Sequence, residues 1–556
     1  MKKLFALTAL ASAMALVGCG GGGDINLKPT TIDNSVDNSQ NNSGGGATNS
    51  CASYEENGQT FQGEAQGSDC FYPASFVSST NPILTDITFG AIAGNHIFAD
   101  SLFIGDDVDA QEAAAGTPIP QEGEGPSVTI AAGSTMVFTR AEGYVRIARG
   151  SQIFAEGTAG SPIIFTADED IDGSATESDR GLWGGIQING NGRTNKCHDG
   201  TNTGSGSGNV SDFDPTNNNV HNCNQTAEGR PATYGGNNDA ENSGVLEYVV
   251  IKHAGFEVVD GNELNALTLN GVGSGTTISH VQTYTSQDDG FEMFGGAVNL
   301  DHIVAVNVGD DSIDYSEGYN GKIQYAVVVH TSGANRCIEG DNTGGNRDDG
   351  ITPTTKLIIS NLTCVTSFVS EGAGQNPSSK GSSEGPLFRE GAFFEMYNSV
   401  ITSNAPGMES NECLELDDSE GPQTIAAAID GTSIASSNVI ACSEATKEGV
   451  DAANDQDFKT AEWLANGSTN AKNVIITGAD LPAQSLITGV PGSRGYLTAS
   501  TITDGSGVEV FNQATDLTDV SAVDSYFEAP SYVGGANAGD NWLSGWTVGL
   551  SAPLNP

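Results

Sequence analysis

Positive charge is what this sequence has least of. Against 70 aspartates and glutamates stand 21 lysines and arginines in 556 residues, a formal net charge of -49. Nucleic acid is excluded as a partner on this ground, because affinity for phosphate backbones comes from lysine and arginine releasing counterions. Such a charge also repels free polyanions and draws in cations. Aromatic residues are few, at 7%, and runs with helical periodicity are confined to the first residues and to 460–465. That scarcity argues against a helical fold. No cysteines show C-x-x-C spacing, which argues against metal binding by thiolates. What the chain has instead is glycine, 73 residues of it, between short apolar stretches. This is the pattern of many short strands joined by turns.

The densest regularity lies at 277–340. With a step of 22 it falls into three rungs, TISHVQTYTSQDDGFEMFGGAV, NLDHIVAVNVGDDSIDYSEGYN and GKIQYAVVVHTSGANRCIEGDN. His280 stands over His302, Val281 over Ile303 and Tyr325, Phe291 over Ile313, and Met293 over Tyr315 and Cys337. A fixed period of this size means one unit stacked repeatedly, each unable to bury its apolar side alone. The expectation is an all-β chain, one parallel β-helix with rungs of about 22 residues.

In such a coil equivalent residues stack at ~4.8 Å. Alternation turns Phe291, Met293, Ile313 and Tyr315 inward and Glu292 and Asp314 outward. Asp288, Asp289 and Glu292 then stand beside Asp310, Asp311 and Asp314 on an outer surface. At ~5 Å and an effective dielectric of about 20, one like-charged pair repels by roughly 3 kcal/mol before screening. The step of 22 puts Arg336 in the column of Glu292 and Asp314, where it would close a salt-bridge ladder. The aspartate pairs have no base in their columns, and three roles stay open for them: turn residues, calcium ligands, or a catalytic pair.

The chain begins MKKLFALTALASAMALVGC, two lysines and an apolar run of about 14 residues. The run is too short to cross ~30 Å of hydrocarbon, so residues 1–18 read as a signal peptide. The ending Leu16-Val17-Gly18-Cys19 resembles the lipobox of bacterial lipoproteins, in which the cysteine, here Cys19, is acylated and becomes the mature N-terminus. Gly20 after it implies, on the same resemblance, sorting to the outer membrane. Residues 19–50 hold almost nothing apolar and form a flexible tether with an r.m.s. reach of roughly 30 Å.

Eight cysteines remain in four sequence-local pairs: Cys51 with Cys70, Cys197 with Cys223, Cys337 with Cys364, and Cys413 with Cys442. In an exported chain the default for them is disulfides. Residues 51–126 are expected to be an N-terminal disulfide-bearing cap, 127–455 the β-helix with inserted loops, and 456–556 the last rungs and a C-terminal cap. Trp542 and Trp546 would cover the last rung.

Asp168-Glu169-Asp170-Ile171-Asp172-Gly173, followed by Asp179, matches D-x-D-x-D-G with a carboxylate at the twelfth position. That spacing wraps oxygen ligands around calcium, so Asp168, Asp170, Asp172 and Asp179 are expected calcium ligands. The loop departs from the pattern in its shorter twelfth ligand, in Ala175 at position eight, and in being flanked by strands. The insertion 189–243 has no role legible in its residues.

The order GSQIFAEGTAGSPIIFTAD, RGLWGGIQINGNG, a cysteine-bounded loop, AEGRPATYGGNNDAENSGVLEYVVIKHAG and NALTLNGVGSGTTISHVQTYTSQDDGFEMFGG resembles a family of bacterial right-handed parallel β-helix lipoproteins, similar in fold to pectate lyases. The resemblance covers about 127–340, and GDNWLSGWTVGL resembles that family's ending. It implies a fold and no settled activity. SQDDG resembles the adjacent-aspartate motif of polygalacturonase-type β-helices, yet neither G-H-G nor R-I-K follows it. A pectate-lyase-like eliminase needs a partly neutral base, whereas Lys252, Lys322 and Arg336 lie in an acidic field that favours their charged forms.

Gly381-Ser382-Ser383-Glu384-Gly385 matches G-x-S-x-G without the strand-to-helix context. His253, His280, His302 and His330 show no metal-ligand spacing. The sequence therefore predicts a non-catalytic, calcium-stabilised β-helix lipoprotein, anchored to the membrane and presenting a face to polysaccharide or another envelope protein.

Overall fold

The computed structural model describes residues 49–550 except 198–222, 260–261, 331–333, 343–351, 368–382, 404–411, 419–422, 453, 455, 467–470, 482–486, 489–496 and 500. Cys19, the signal peptide and the tether through residue 48 lie outside the described residues.

Short strands with alternating inward residues stack in parallel into a three-faced coil. One face is a nine-stranded sheet from Leu102–Ile104 to Glu415–Leu416. Its inward columns are apolar: Leu102, Val145, Ile186, Leu267, Phe291 and Ile313 follow one another in register, all fully buried.

The other two faces share long strands such as Gly244–Lys252, Thr277–Tyr284, Asn299–Val306 and Lys322–Val329. Each bends once, at a residue with left-handed backbone: Tyr248, His280, His302 and Tyr325 have φ of 49, 53, 51 and 60°. Asn361, Asn398 and Ser437 continue that column. One bend per strand turns a flat ribbon into two walls of the coil.

All four expected disulfides form, with Cα separations from 5.4 to 6.3 Å. Three other expectations need correction. First, stacking begins before 127. Asp69–Tyr72 pairs in parallel with His96–Phe98, and that strand with Thr135–Phe138. The N-terminal region thus supplies rungs, and only its antiparallel hairpins, with Tyr54 and Phe76 packed on the core, are additional to the coil.

Second, the step of 22 does not hold in the third rung. Leu300 pairs with Ile323 and Asp314 with Glu339, so the third rung carries extra residues at its turns. Tyr325 therefore joins the column of His302, at 4.9 Å between rings. Gly340, not Cys337, faces Tyr315, and its missing side chain leaves room for that ring.

Third, whereas Phe458, Trp463 and Leu464 join the main core, the segment carrying Trp542 and Trp546 does not cover the last rung. It runs back along the flank of the coil, with backbone amides of Thr518, Gly535 and Val548 donating to Asn398, Thr363 and Gln282 side chains at 2.8 Å. The reason is an outward valine ladder, Val250, Val304, Val327, Val365 and Val400 among it, which Phe511, Val533, Leu543 and Trp546 bury. Burial at ~25 cal/mol per Å² of apolar surface makes this strap part of the core.

Candidate functional site

Three successive turns leading into strands of the nine-stranded face are each held by a side chain of the rung before. Asn265 Oδ1 accepts from the Asp289 amide at 3.1 Å, Asp289 Oδ1 from the Asp311 amide at 2.9 Å, and Asp311 Oδ1 from the Arg336 amide at 2.6 Å. Aspartate or asparagine recurs there because only a short side-chain acceptor reaches that amide. In the neighbouring column Asp310 Oδ1 accepts from Asn335 Nδ2 at 3.0 Å.

Beyond the turn, Glu292, Asp314 and Glu339 succeed one another outward on adjacent strands. Arg336 is not among them. It lies in the Asp311 column, and its guanidinium reaches Glu384 at 3.2 Å, Glu412 at 3.6 Å and Glu415 at 2.8 Å. The expected salt-bridge ladder is therefore replaced by a third carboxylate.

This outward surface is not solvent-exposed, as the alternation implied. Asp288, Asp289, Glu292 and Asp311 are 7, 6, 7 and 4% exposed. Over Glu292 and the strands before it lies the returning arm of the 189–243 insertion, with Glu228 beside Glu292. Gln187 Nε2 donates to the Glu228 carbonyl at 2.8 Å, Arg146 Nη1 to the Pro231 carbonyl at 3.4 Å, and the Tyr234 hydroxyl to Glu317. Lys196 pairs with Glu317, and Arg389 with Glu339 at 3.1 Å.

Three overlapping carboxylate triplets result: Asp288, Asp289 and Asp310; Asp289, Glu292 and Asp314; Asp311, Asp314 and Glu339. Within each, ligand oxygens lie within 4.8 Å of one another. Asp314 is common to two of them, and its Oδ1 is buried with no hydrogen-bond partner among the described residues. Burial first, and then the neighbouring carboxylates, hold Asp289, Glu292, Asp311 and Asp314 well above the usual carboxylate range. An all-oxygen set under mutual repulsion fits a hard divalent cation such as calcium.

Lys196 and Arg389, the bases beside these carboxylates among the described residues, are not neutral. Burial alone would lower Lys196 and Arg389, but Glu317 and Glu339 respectively outweigh it and hold both above their ordinary values.

The expected calcium loop takes another form. Asp168–Asp172 is a five-residue helix closed by Gly173 at φ 78°, and a helix points positions i and i+2 to different sides. Asp172 accepts from the Ser174 amide at 2.8 Å and Asp179 from the Thr176 amide at 2.7 Å. Asp170 turns to Lys252 at 2.5 Å and His253 at 3.6 Å. Burial alone would raise its pKa, but these two partners and Thr166 hold it far below the usual range. Asp168, Asp170, Asp172 and Asp179 are thus not gathered into one ligand set.

The G-x-S-x-G match proves to have a histidine: Ser383, at φ 65°, lies 3.0 Å from His330 Nδ1. Both residues are fully buried, burial pushes His330 down to about 3, and Ser383 Oγ accepts from the Ser367 amide at 2.7 Å. The pair ties a corner of the coil together beneath the surface. Glu339, Glu317 and Glu228 were not legible as members of the acidic site, since only register and the folded-back insertion bring them there.

The family model of the pectate-lyase-like β-helix domain matches residues 120–481. No curated protein and no solved structure matches the chain. The matched stretch includes the acidic ladder, its cover and the strands of all three faces. With parallel rungs stacked through that stretch, and the match spanning more than half of the sequence, the protein belongs to the pectate-lyase-like β-helix domain family.

Proposed function

We propose that this protein is a non-catalytic, calcium-stabilised β-helix module, held at the outer membrane through an acylated Cys19, which presents its long flank to a polysaccharide or another envelope protein. The observation that carries this is the column of Glu292, Asp314 and Glu339 on successive strands, buried or partly buried, against which the neighbouring Arg389 sets one ion pair, to Glu339 at 3.1 Å. Calcium supplies charge neutralisation there, with Asp289, Glu292 and Asp314, or Asp311, Asp314 and Glu339, as the groups that would hold it.

Two features speak against catalysis. Asp289 and Asp311 are engaged by backbone amides and so hold turns. Lys196 and Arg389 are kept protonated by their carboxylate partners, so neither serves as the base an eliminase needs. Carbohydrate is the favoured ligand class by kinship of fold alone.

Incubating the tether-free protein with pectic and algal polysaccharides at millimolar calcium tests this. Retention on immobilised glycan without new chain ends supports a binding module. Release of unsaturated ends would establish a lyase, and new reducing ends a hydrolase; either overturns the reading.

A further inference from the structure

Where the 189–243 insertion returns to the coil, its short antiparallel hairpin, Gln225–Thr226 with Thr233–Tyr234, faces residues 107–111 of the N-terminal region across a polar cavity of about 150 Å³. Asp107, Asp109, Gln111, Thr226, Pro231 and Ala232 are among the residues that line it. The cavity is smaller than the ~300 Å³ at which pockets begin to enclose a whole drug-sized ligand. It suits one ring of a longer chain, with the rest of that chain outside.

Its walls are fixed before anything binds. Asp107 Oδ1 accepts from the Thr233 amide at 2.9 Å and from the Thr233 hydroxyl at 2.8 Å. Asp109 Oδ1 accepts from the Gln111 and Glu112 amides at 2.7 and 2.8 Å. Behind the cavity the buried Arg149 donates to Asn224 Oδ1 and Thr233 Oγ1 at 2.6 Å, to the Val108 carbonyl at 2.9 Å, and to the Cys223 and Gly235 carbonyls at 3.1 Å. One side chain thus ties the coil, the N-terminal region and the hairpin together.

The lining chemistry points to a class of ligand. Each aspartate is held through Oδ1, which leaves Oδ2 as an acceptor. Gln111 and Thr226 are exposed, and an amide and a hydroxyl supply both donors and acceptors. Pro231 and Ala232 add a small apolar wall. Hydroxyls that donate and accept, on a ring with apolar C–H faces, are what such a set complements, and these are the features of a sugar. No lysine or arginine lines the cavity, so nothing there pairs with a uronate or a sulfate, and the net charge of -49 repels such polyanions.

We propose that this cavity holds one neutral sugar unit of a glycan, with Asp107, Asp109, Gln111 and Thr226 as its hydrogen-bonding residues. The proposal rests on the glycan-binding reading above and narrows its ligand to an uncharged polysaccharide. The cavity is separate from the acidic ladder: Thr233 bonds Asp107 on the cavity side, whereas the next residue, Tyr234, reaches Glu317 on the other.

The test titrates the protein, in millimolar calcium, with the methyl glycosides of glucose, galactose and mannose, and with that of galacturonic acid as the charged control, followed by saturation-transfer NMR. At least one neutral glycoside should bind at one site per chain with a millimolar Kd, and the galacturonate should not. Gln111→Ala and Thr226→Val, at exposed positions, should each weaken binding about two- to tenfold, and the double variant by more than either, at an unchanged melting temperature. No saturable binding of any neutral glycoside, equal binding of the galacturonate, or binding unchanged in the double variant overturns the proposal. Retention on immobilised neutral glycan separates the two readings: a double variant retained as firmly as the parent removes the cavity and leaves the binding module standing, whereas a parent that is not retained removes both.

Discussion

Replacing Asp314 with asparagine removes one charge from the middle of the acidic ladder while keeping its volume. Asp314 faces Glu292 on one strand and Glu339 on the next, at a spacing of ~4.8 Å. Each fully ionised pair repels by roughly 3 kcal/mol at an effective dielectric of about 20. Burial and these neighbours raise the pKa of Asp314, so proton uptake relieves part of the strain. A net release of about 1–3 kcal/mol at pH 7 without calcium is therefore expected.

Over 556 residues, ~2.1 cal/mol/K per residue gives a melting entropy of about 1 kcal/mol/K, hence a rise of about 1–3 °C in EDTA. In calcium the sign reverses, because the variant loses a charged ligand. A site filled at a hundred times its Kd contributes ~2.7 kcal/mol, or about 2 °C, so against a variant lead of about 1 °C the unaltered protein should then melt higher by about 1 °C. Differential scanning calorimetry in the two buffers reads both signs. A variant less stable than the parent in EDTA would refute the claim that repulsion from neighbouring carboxylates outweighs the compensation Asp314 receives from Arg389.

The raised pKa values also predict a pH dependence. Groups held above their ordinary values stabilise the fold below the ordinary carboxylate range, and that stability is lost as pH rises through their folded values. For Asp289, Glu292, Asp311 and Asp314, melting temperature in EDTA should rise as pH falls from 7 to 5, and saturating calcium should flatten the slope. Asp170 has the opposite sign: held low by His253 and Lys252, it stabilises above the ordinary carboxylate range, and Asp170→Ala should cost about 1.5–3 kcal/mol at pH 7. Chemical unfolding should find that loss unchanged by calcium, since the loop is a helix and not a ligand set. Trp546→Ala should cost about 3–5 kcal/mol and expose the flank strap, measured as faster proteolysis beyond residue 497.

Much of the fold was legible because the rungs at 277 and 299 repeat every column of the inner wall. Phe291 over Ile313 and Met293 over Tyr315 hold in the structure, as do the outward positions Glu292 and Asp314. The third rung failed because a solenoid absorbs extra residues at its turns without disturbing strand pairing, so Glu339 took the place expected for Arg336. Burial of the ladder was not legible, since it depends on Glu228 and Tyr234 returning from a long insertion to lie against the sheet.

Asp168 to Asp179 misled because a spacing motif carries no tertiary information. Lys252, 82 residues away, captures the central aspartate. Trp542 and Trp546 looked like a cap because aromatic residues at a solenoid's end commonly bury its last rung. Here they are needed instead over outward valines such as Val304 and Val327, which period-two alternation had assigned to neither core nor surface.

The central claim, that a divalent cation neutralises the buried ladder, is tested most directly by thermal melting of the tether-free protein during a calcium titration at pH 7. A saturable rise of about 2–3 °C is predicted, abolished in a variant carrying both Asp289→Asn and Asp314→Asn. No change in melting temperature at millimolar calcium would contradict it.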